Sequence, residues 1–196
     1  MNKPARPEII LASTSPFRKQ LLARLGIAFE TLAPDIDETR HENETADHLV
    51  RRLSEAKARA IGPAGKALII GSDQVAVAGS AILGKPGSHA SATTQLQQLS
   101  GQAVTFLSGL CLLNSGTGEL QLDVVPYRVY FRQLDTARIE RYLQHDRPYN
   151  CAGSFKSEGL GITLFERMEG DDPTALVGLP LIRLTGMLAR AGFPLP

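Results

Sequence analysis

Asp73 follows the apolar run Ala67–Ile70 and so is expected at or just past the end of a buried strand, where ligands of open α/β sheets bind. A carboxylate there can hold a cation or take a proton from water. A turn aspartate satisfied by backbone N–H groups would look the same in sequence. Ser13-Thr14-Ser15-Pro16-Phe17-Arg18 places hydroxyls ahead of a helix start and an arginine in its first turn. Backbone N–H groups, the helix dipole and a guanidinium would converge there on an anion such as a phosphate; the plainer reading is a serine N-cap with Arg18 in solvent. Phe17 either packs on Leu21 one turn later or stacks on a planar ligand at the rim of a cleft.

Gly79-Ser80 between Val75–Ala78 and Ala81–Leu83 has the signature of a type II′ hairpin. Its register, if unbroken, sets Lys85 opposite Gln74 and beside Asp73, so that an ammonium, an amide and a carboxylate share one region. The segment Gly79 to Lys85 also matches G-x-x-x-x-G-K, but Pro86 follows, with neither a hydroxyl for magnesium nor an N–H for phosphate, and the P-loop reading is rejected. Lys57 lies on or at the edge of an apolar helical stripe and either snorkels to water or points into a polar cleft. Asp35, Asp37 and Glu38 offer hard oxygen donors for magnesium or manganese, although a solvated loop explains the same charges. In Cys151–Gly159 the glycines suggest backbone lying close to a ligand, with Lys156 and Glu158 available to read it, or else a surface loop. Asp171-Asp172-Pro173 reads as the start of a turn or helix rather than an acid pair. His41, His48, His89 and His145 form no metal-spaced pair, and there is no G-x-S-x-G.

These residues need a scaffold. Glu8–Ala12 reads as a strand feeding a helix capped by Ser15, with Pro16 in its first turn, a stripe of Leu21, Leu22 and Leu25, and Gly26 at its end. Residues 28–33 suggest a second strand, 35–47 an acidic loop or a loop entering a helix, and 47–61 an amphipathic helix closed by Gly62-Pro63. Ser88–Leu99 reads as a helix ending at Gly101, 103–113 as a central strand apolar on both faces, Asn114–Gly118 as a turn, and the segment through Tyr127–Arg132 as a strand with one wet face. Asp135 caps a helix carrying Ile139, Tyr142 and Leu143; residues 151–173 look irregular; a last helix spans Pro180 to Ala191 with Gly192 at its C-terminal cap. The alternation at the start and the long antiparallel hairpin in the middle predict an α/β protein with a mixed sheet, in a single domain over residues 1–196.

The composition supports this picture. With 196 residues, 43% hydrophobic and 21% charged, the chain can bury a core without staples. Its 21 Lys and Arg balance 20 Asp and Glu and are scattered, so no polymeric nucleic acid is expected as partner. Its apolar runs are too short to span a bilayer and Met1–Pro7 lacks a signal core, so no membrane association is expected. Cys111 and Cys151 form no motif and read as ordinary thiols in or near the core, in a reducing compartment, which makes the expected location cytoplasmic.

In chain order, Ala12-Ser13-Thr14-Ser15-Pro16-Phe17-Arg18, Asp37-Glu38, Gly71-Ser72-Asp73-Gln74, Gly84-Lys85-Pro86, Gly153 to Gly159 and Val177-Gly178-Leu179-Pro180-Leu181 resemble the Maf family of nucleoside triphosphate pyrophosphatases. The resemblance implies an inosine-triphosphatase-like α/β fold, its mixed, twisted sheet flanked by helices, with a deep cleft between two lobes. It also implies a hydrolase that uses a divalent cation, Mg or Mn, to split a nucleoside triphosphate into a monophosphate and pyrophosphate. Carried over residue by residue, Glu38 and Asp73 bind or approach the metal, and Asp73, the family's assigned proton acceptor, acts on the attacking water either as base or as metal ligand. Ser13, Arg18, Lys57 and Lys85 hold phosphates, while Phe17, Gln74, Lys156 and Glu158 complete the substrate site. Phe17, Gln74 and Glu158 are similar to the branch acting on 7-methyl-GTP, which typically has tryptophan at the position of Phe17, rather than to the dTTP/UTP branch with arginine, threonine and glutamine. An aromatic face attracts a cationic methylated guanine, and a carboxylate can pair with its N1–H and exocyclic amine. The family suggests clearing of modified nucleotides. The alternatives are the dTTP/UTP activity and a non-catalytic nucleotide-binding regulator of septum formation. A homodimer is left open.

Overall fold

The computed structural model of the protein describes residues 7–62 and 65–196; Met1–Arg6, read for a signal core, and Pro63, read as a helix stop, lie outside the described residues. Strand β1 (Glu8–Ala12) leads into helix α1 (Pro16–Ala23), where the Ser15 hydroxyl accepts the Arg18 N–H and Pro16 sits in the first turn, as its missing N–H allows. Strand β2 is Glu30–Leu32, and helix α2 (Ala46–Ala60) starts at the Thr45 cap. Strand β3 (Ala67–Ala78) turns at Gly79-Ser80 into β4 (Ala81–Leu83). Gly79 has φ +58° and Ser80 is not among the positive-φ residues, which fits a type II′ turn. Helix α3 (His89–Leu99), strands β5 (Ala103–Asn114) and β6 (Leu120–Phe131) and helix α4 (Thr136–Asp146, capped by Asp135) follow. Strand β7 (Phe165–Glu169) and helix α5 (Leu181–Arg190) complete the chain.

The strands form one mixed sheet in the order β2-β1-β3-β5-β6-β7, with β4 also paired to β3. β1 runs parallel to β2 and β3, and the remaining pairs are antiparallel. Alternation along β3 assigns its faces. Leu68 and Ile70 pack with Leu22, Leu184 and Leu188 of α1 and α5, whereas Ala67 and Ile69 pack with Ala58 of α2. A second lobe gathers Leu96, Ile139 and Leu143 of α3 and α4 around Phe106, Phe131, Phe155 and Phe165. Its rings meet edge to face, Phe155 and Phe165 with centroids 4.7 Å apart.

Three expectations are corrected. Asp73 does not stand at a strand end: β3 runs unbroken from Ala67 to Ala78, because β5 pairs with it continuously from Leu68 to Ala78. What ends at this level is β1, whose last partner on β3 is Gly71. The hairpin register holds only from Ala78↔Ala81 to Ala76↔Leu83, so Lys85 has no ladder partner at Gln74; Pro86, without an N–H, cannot extend the ladder. Residues 151–173 are not wholly irregular, since they include β7 and the 3₁₀ turns Ala152–Ser154 and Leu160–Leu164.

β1 and β4 therefore share one edge of β3 and leave a window between them at residues 72–75. The cleft opens there.

Candidate active site

Two glycines bring a helix down onto this window. A Cβ at Gly71 would lie 2.1 Å from the Ser54 carbonyl oxygen, and one at Gly109, opposite Asp73 on β5, would lie 2.3 Å from that of Val50. Only bare backbone lets α2 seat so closely. The buried Ser54 hydroxyl then donates to the Val50 carbonyl (2.6 Å) and accepts the Asp73 N–H (3.0 Å). One turn later Lys57 comes down over the strand.

Lys57 points into the cleft and does not snorkel: its side chain is 7% exposed. Its Nζ donates to Asp73 Oδ1 at 2.6 Å and makes an ion pair with Glu38 Oε1 at 2.7 Å. Burial works to raise the Glu38 carboxyl, but the hydrogen bond from Lys57 and the charges of Lys57, Lys85 and Arg18 outweigh it and hold Glu38 below its ordinary value. Of the acidic loop only Glu38 reaches this point. Asp37 instead closes a local turn, accepting the Thr39 N–H at 2.8 Å. The loop is held by Arg52, which makes a two-pronged pair with Glu44 (2.7 and 2.9 Å) and donates to the Thr39 carbonyl (3.0 Å).

The opposite side of β3 fixes the floor. Ser72 donates to the carbonyls of Gly109 and Gly178, at 2.8 and 2.9 Å. Gln74 Nε2 donates to Ser108 Oγ and to the carbonyls of Ala175 and Leu176. Arg18 Nε donates to the Gly178 carbonyl at 2.8 Å, which aims the guanidinium from α1 across the window. Burial pulls Arg18 below its ordinary value, against the charges of Asp73 and Glu38, which raise it. The 3₁₀ turn Pro173–Val177 is itself anchored by buried Asp172, which accepts from Thr174 N (3.0 Å) and from Ile182 N (2.8 Å) at the start of α5. Asp172 is thus a double cap, as the Asp-Pro reading anticipates.

The cleft has a volume of about 790 Å³, and Ser13, Phe17, Arg18, Glu38, Lys57, Asp73, Gln74, Lys85, Lys156 and Glu158 all line it. Ser13 is buried, its hydroxyl accepting the Ser15 N–H (3.1 Å); Phe17 is half-buried on the wall formed by α1, and Lys85 and Glu158 are exposed. Lys156 Nζ is tied to the Asp146 carbonyl at 2.8 Å. Five cationic side chains, Arg147 among them, and three carboxylates therefore face one cavity, which suits a polyanion with its counter-ion. Glu38 and Asp73 meet at a single point as hard oxygen donors, and no group of three or more His, Cys, Asp or Glu able to hold a metal exists among the described residues. Two carboxylates completed by water and phosphate oxygens are the donor set that magnesium and manganese accept.

Sequence reasoning missed Arg147 and Asn150 on the far wall. Arg147 ends α4 with φ +45°, an uncommon backbone for a non-glycine residue, and Pro148 after it is the only sign in the sequence. Cys151 also lines the cleft rather than the core, and burial raises its thiol. Cys111 is fully buried, its thiol pushed up to about 12 by burial.

Comparison with known proteins agrees with this geometry. The Maf-like protein family matches residues 8–191. The chain is 57% identical over 192 residues to the 7-methyl-GTP pyrophosphatase of Nitrosococcus oceani, covering 97% of this chain and 96% of that protein. It is 54% identical over 191 residues to the 7-methyl-GTP pyrophosphatase of Pseudomonas aeruginosa, covering 97% of this chain and 100% of that protein. Among solved structures, a HAM1 protein from Coxiella burnetii shares the fold, with a TM-score of 0.54 at 15% identity, covering 94% of this chain and 100% of that one.

Proposed function

The chain belongs to the Maf-like protein family, and from that premise we propose that it hydrolyses 7-methyl-GTP to 7-methyl-GMP and pyrophosphate, clearing the modified nucleotide from the cytoplasmic pool. The observation that carries the reading is the joining, in one cavity, of the Asp73–Lys57–Glu38 cluster with an aromatic face, Phe17, and an exposed carboxylate, Glu158. Relatives bearing that activity in their names are more than half identical over nearly the whole chain.

In this reading the triphosphate lies across the window in β3. Arg18, Lys57 and Lys85 neutralise the charge that develops on the pyrophosphate leaving group, the electrostatic stabilisation on which phosphoryl chemistry depends. Ser13 and the first turn of α1 supply hydrogen-bond donors to the same oxygens. Asp73 takes a proton from the water whose oxygen bonds to the α-phosphorus; the α–β anhydride bond breaks and its electron pair leaves with pyrophosphate. Glu38 and Asp73 would hold a divalent cation, which when bound supplies further neutralisation of the phosphates and a more acidic water. Phe17 stacks on the cationic methylated ring, Glu158 accepts from its N1–H and exocyclic amine, and Lys156 borders that end of the cavity. Gln74 contributes by holding the floor through its amide nitrogen.

The test is pyrophosphate release by the purified protein, with Mg²⁺ or Mn²⁺, from 7-methyl-GTP, GTP, dTTP and UTP. Preference for 7-methyl-GTP supports the reading; equal or better turnover of dTTP and UTP, or no turnover of any, overturns it.

A further inference from the structure

Lys57 stands where a divalent cation would stand. Its ammonium is shared between Glu38 Oε1 and Asp73 Oδ1, at 2.7 and 2.6 Å, and its side chain is 93% removed from solvent. A buried ammonium needs anionic partners, and the acidic groups around it are these two carboxylates. A dication seated on the same oxygens would face Lys57 at close range in a low-dielectric site, where like charges repel strongly. The flexible four-carbon stem lets Lys57 move, but only toward another anion, and apart from the exposed Glu158 the other charged groups lining the cleft are cations: Arg18, Lys85, Arg147 and Lys156.

We propose that Lys57 is a placeholder for the metal: in the free protein it keeps both carboxylates occupied, and it releases them only when triphosphate oxygens arrive to take its N–H groups. Metal and nucleotide are then admitted as a pair, and each raises the affinity for the other by the same factor. This rests on the proposed nucleotide pyrophosphatase reading and adds an order of events to it.

The experiment is direct metal binding by ultrafiltration, counting Mn²⁺ retained with the protein. Wild-type protein is tested alone, with the α,β-methylene analogue of 7-methyl-GTP, and with inorganic tripolyphosphate, whose own manganese complex passes the membrane. The expectation is retention at least about tenfold stronger with either anion than without. A Lys57→Met variant, its fold checked by circular dichroism, is expected to retain Mn²⁺ without any anion, and Mn²⁺ is expected to raise its thermal midpoint. Equal retention by the wild-type protein with and without anion, retention under no condition, or a folded Lys57→Met variant that binds no more tightly than wild type would each overturn the proposal. If the variant does not fold, the wild-type comparison decides alone. Loss of the parent reading is scored separately: anion-dependent retention of Mn²⁺ without pyrophosphate release from 7-methyl-GTP would refute the activity and leave the placeholder role standing.

Discussion

Gly71 lies directly against the backbone of Ser54, so closely that a Cβ at 71 would stand 2.1 Å from the Ser54 carbonyl oxygen and 2.8 Å from the Ala58 nitrogen. The depth at which Lys57 enters the cleft is set by this contact. Gly71→Ala is expected to lift α2, lower stability by about 1–3 kcal/mol as overpacked cores do, and reduce turnover beyond the fraction unfolded. Urea unfolding and pyrophosphate release on the same sample check both parts.

Asp73→Asn keeps the shape of the side chain and leaves Lys57 its pair with Glu38. Turnover is expected to fall by about 10²-fold or more, the scale of a lost general base, with the thermal midpoint nearly unchanged. Undiminished pyrophosphate release would remove Asp73 from the chemistry.

In the proposed reading, base preference rests on Phe17 and Glu158. Phe17→Trp is expected to lower KM for 7-methyl-GTP about two- to fivefold, since indole is the stronger cation–π partner. Phe17→Arg combined with Glu158→Gln is expected to move the ranking toward dTTP and UTP. An unchanged order in a four-substrate panel would defeat the selectivity argument.

Glu44 accepts hydrogen bonds from Arg52 Nε and Nη2 and from the His41 N–H, and the hydrogen bonds from Arg52 hold its carboxyl down at about 2 from 4.5. A carboxyl lowered in the folded state contributes stability above its unfolded value and loses it as the pH falls toward the folded one. The midpoint difference between wild type and Glu44→Gln is therefore expected to be full at neutral pH and to shrink below about pH 4.5. Because Arg52 also fixes the Thr39 carbonyl next to Glu38, the same variant is expected to weaken turnover at neutral pH.

Much of the scaffold was legible because it obeys local rules: the Ser15 and Asp135 caps, the Gly79-Ser80 turn and the doubly apolar central strand stand where propensity and capping chemistry put them. Two features resisted such reading. The polar run Ser72-Asp73-Gln74 looks like the end of a strand because its side chains answer to the cleft and to α2, not to a covering strand; only the continuous pairing with β5 shows that β3 goes on. β7 carries Glu166, Arg167 and Glu169 because it is a sheet edge, and its charges disguise it as loop. The cleft-lining residues became readable as a set through the family resemblance. The inward turn of Lys57 depends on Gly71 and Gly109, which meet α2 only in three dimensions.

The Arg18 guanidinium is steadied by a carbonyl 160 residues further along the chain, at Gly178. A polypeptide emerging from the ribosome has the residues of helix α1 early, yet lacks this partner for the arginine until 160 further residues have been added. A chain cut ahead of Gly178 would therefore lose the partner that orients Arg18, although α1 itself would be intact.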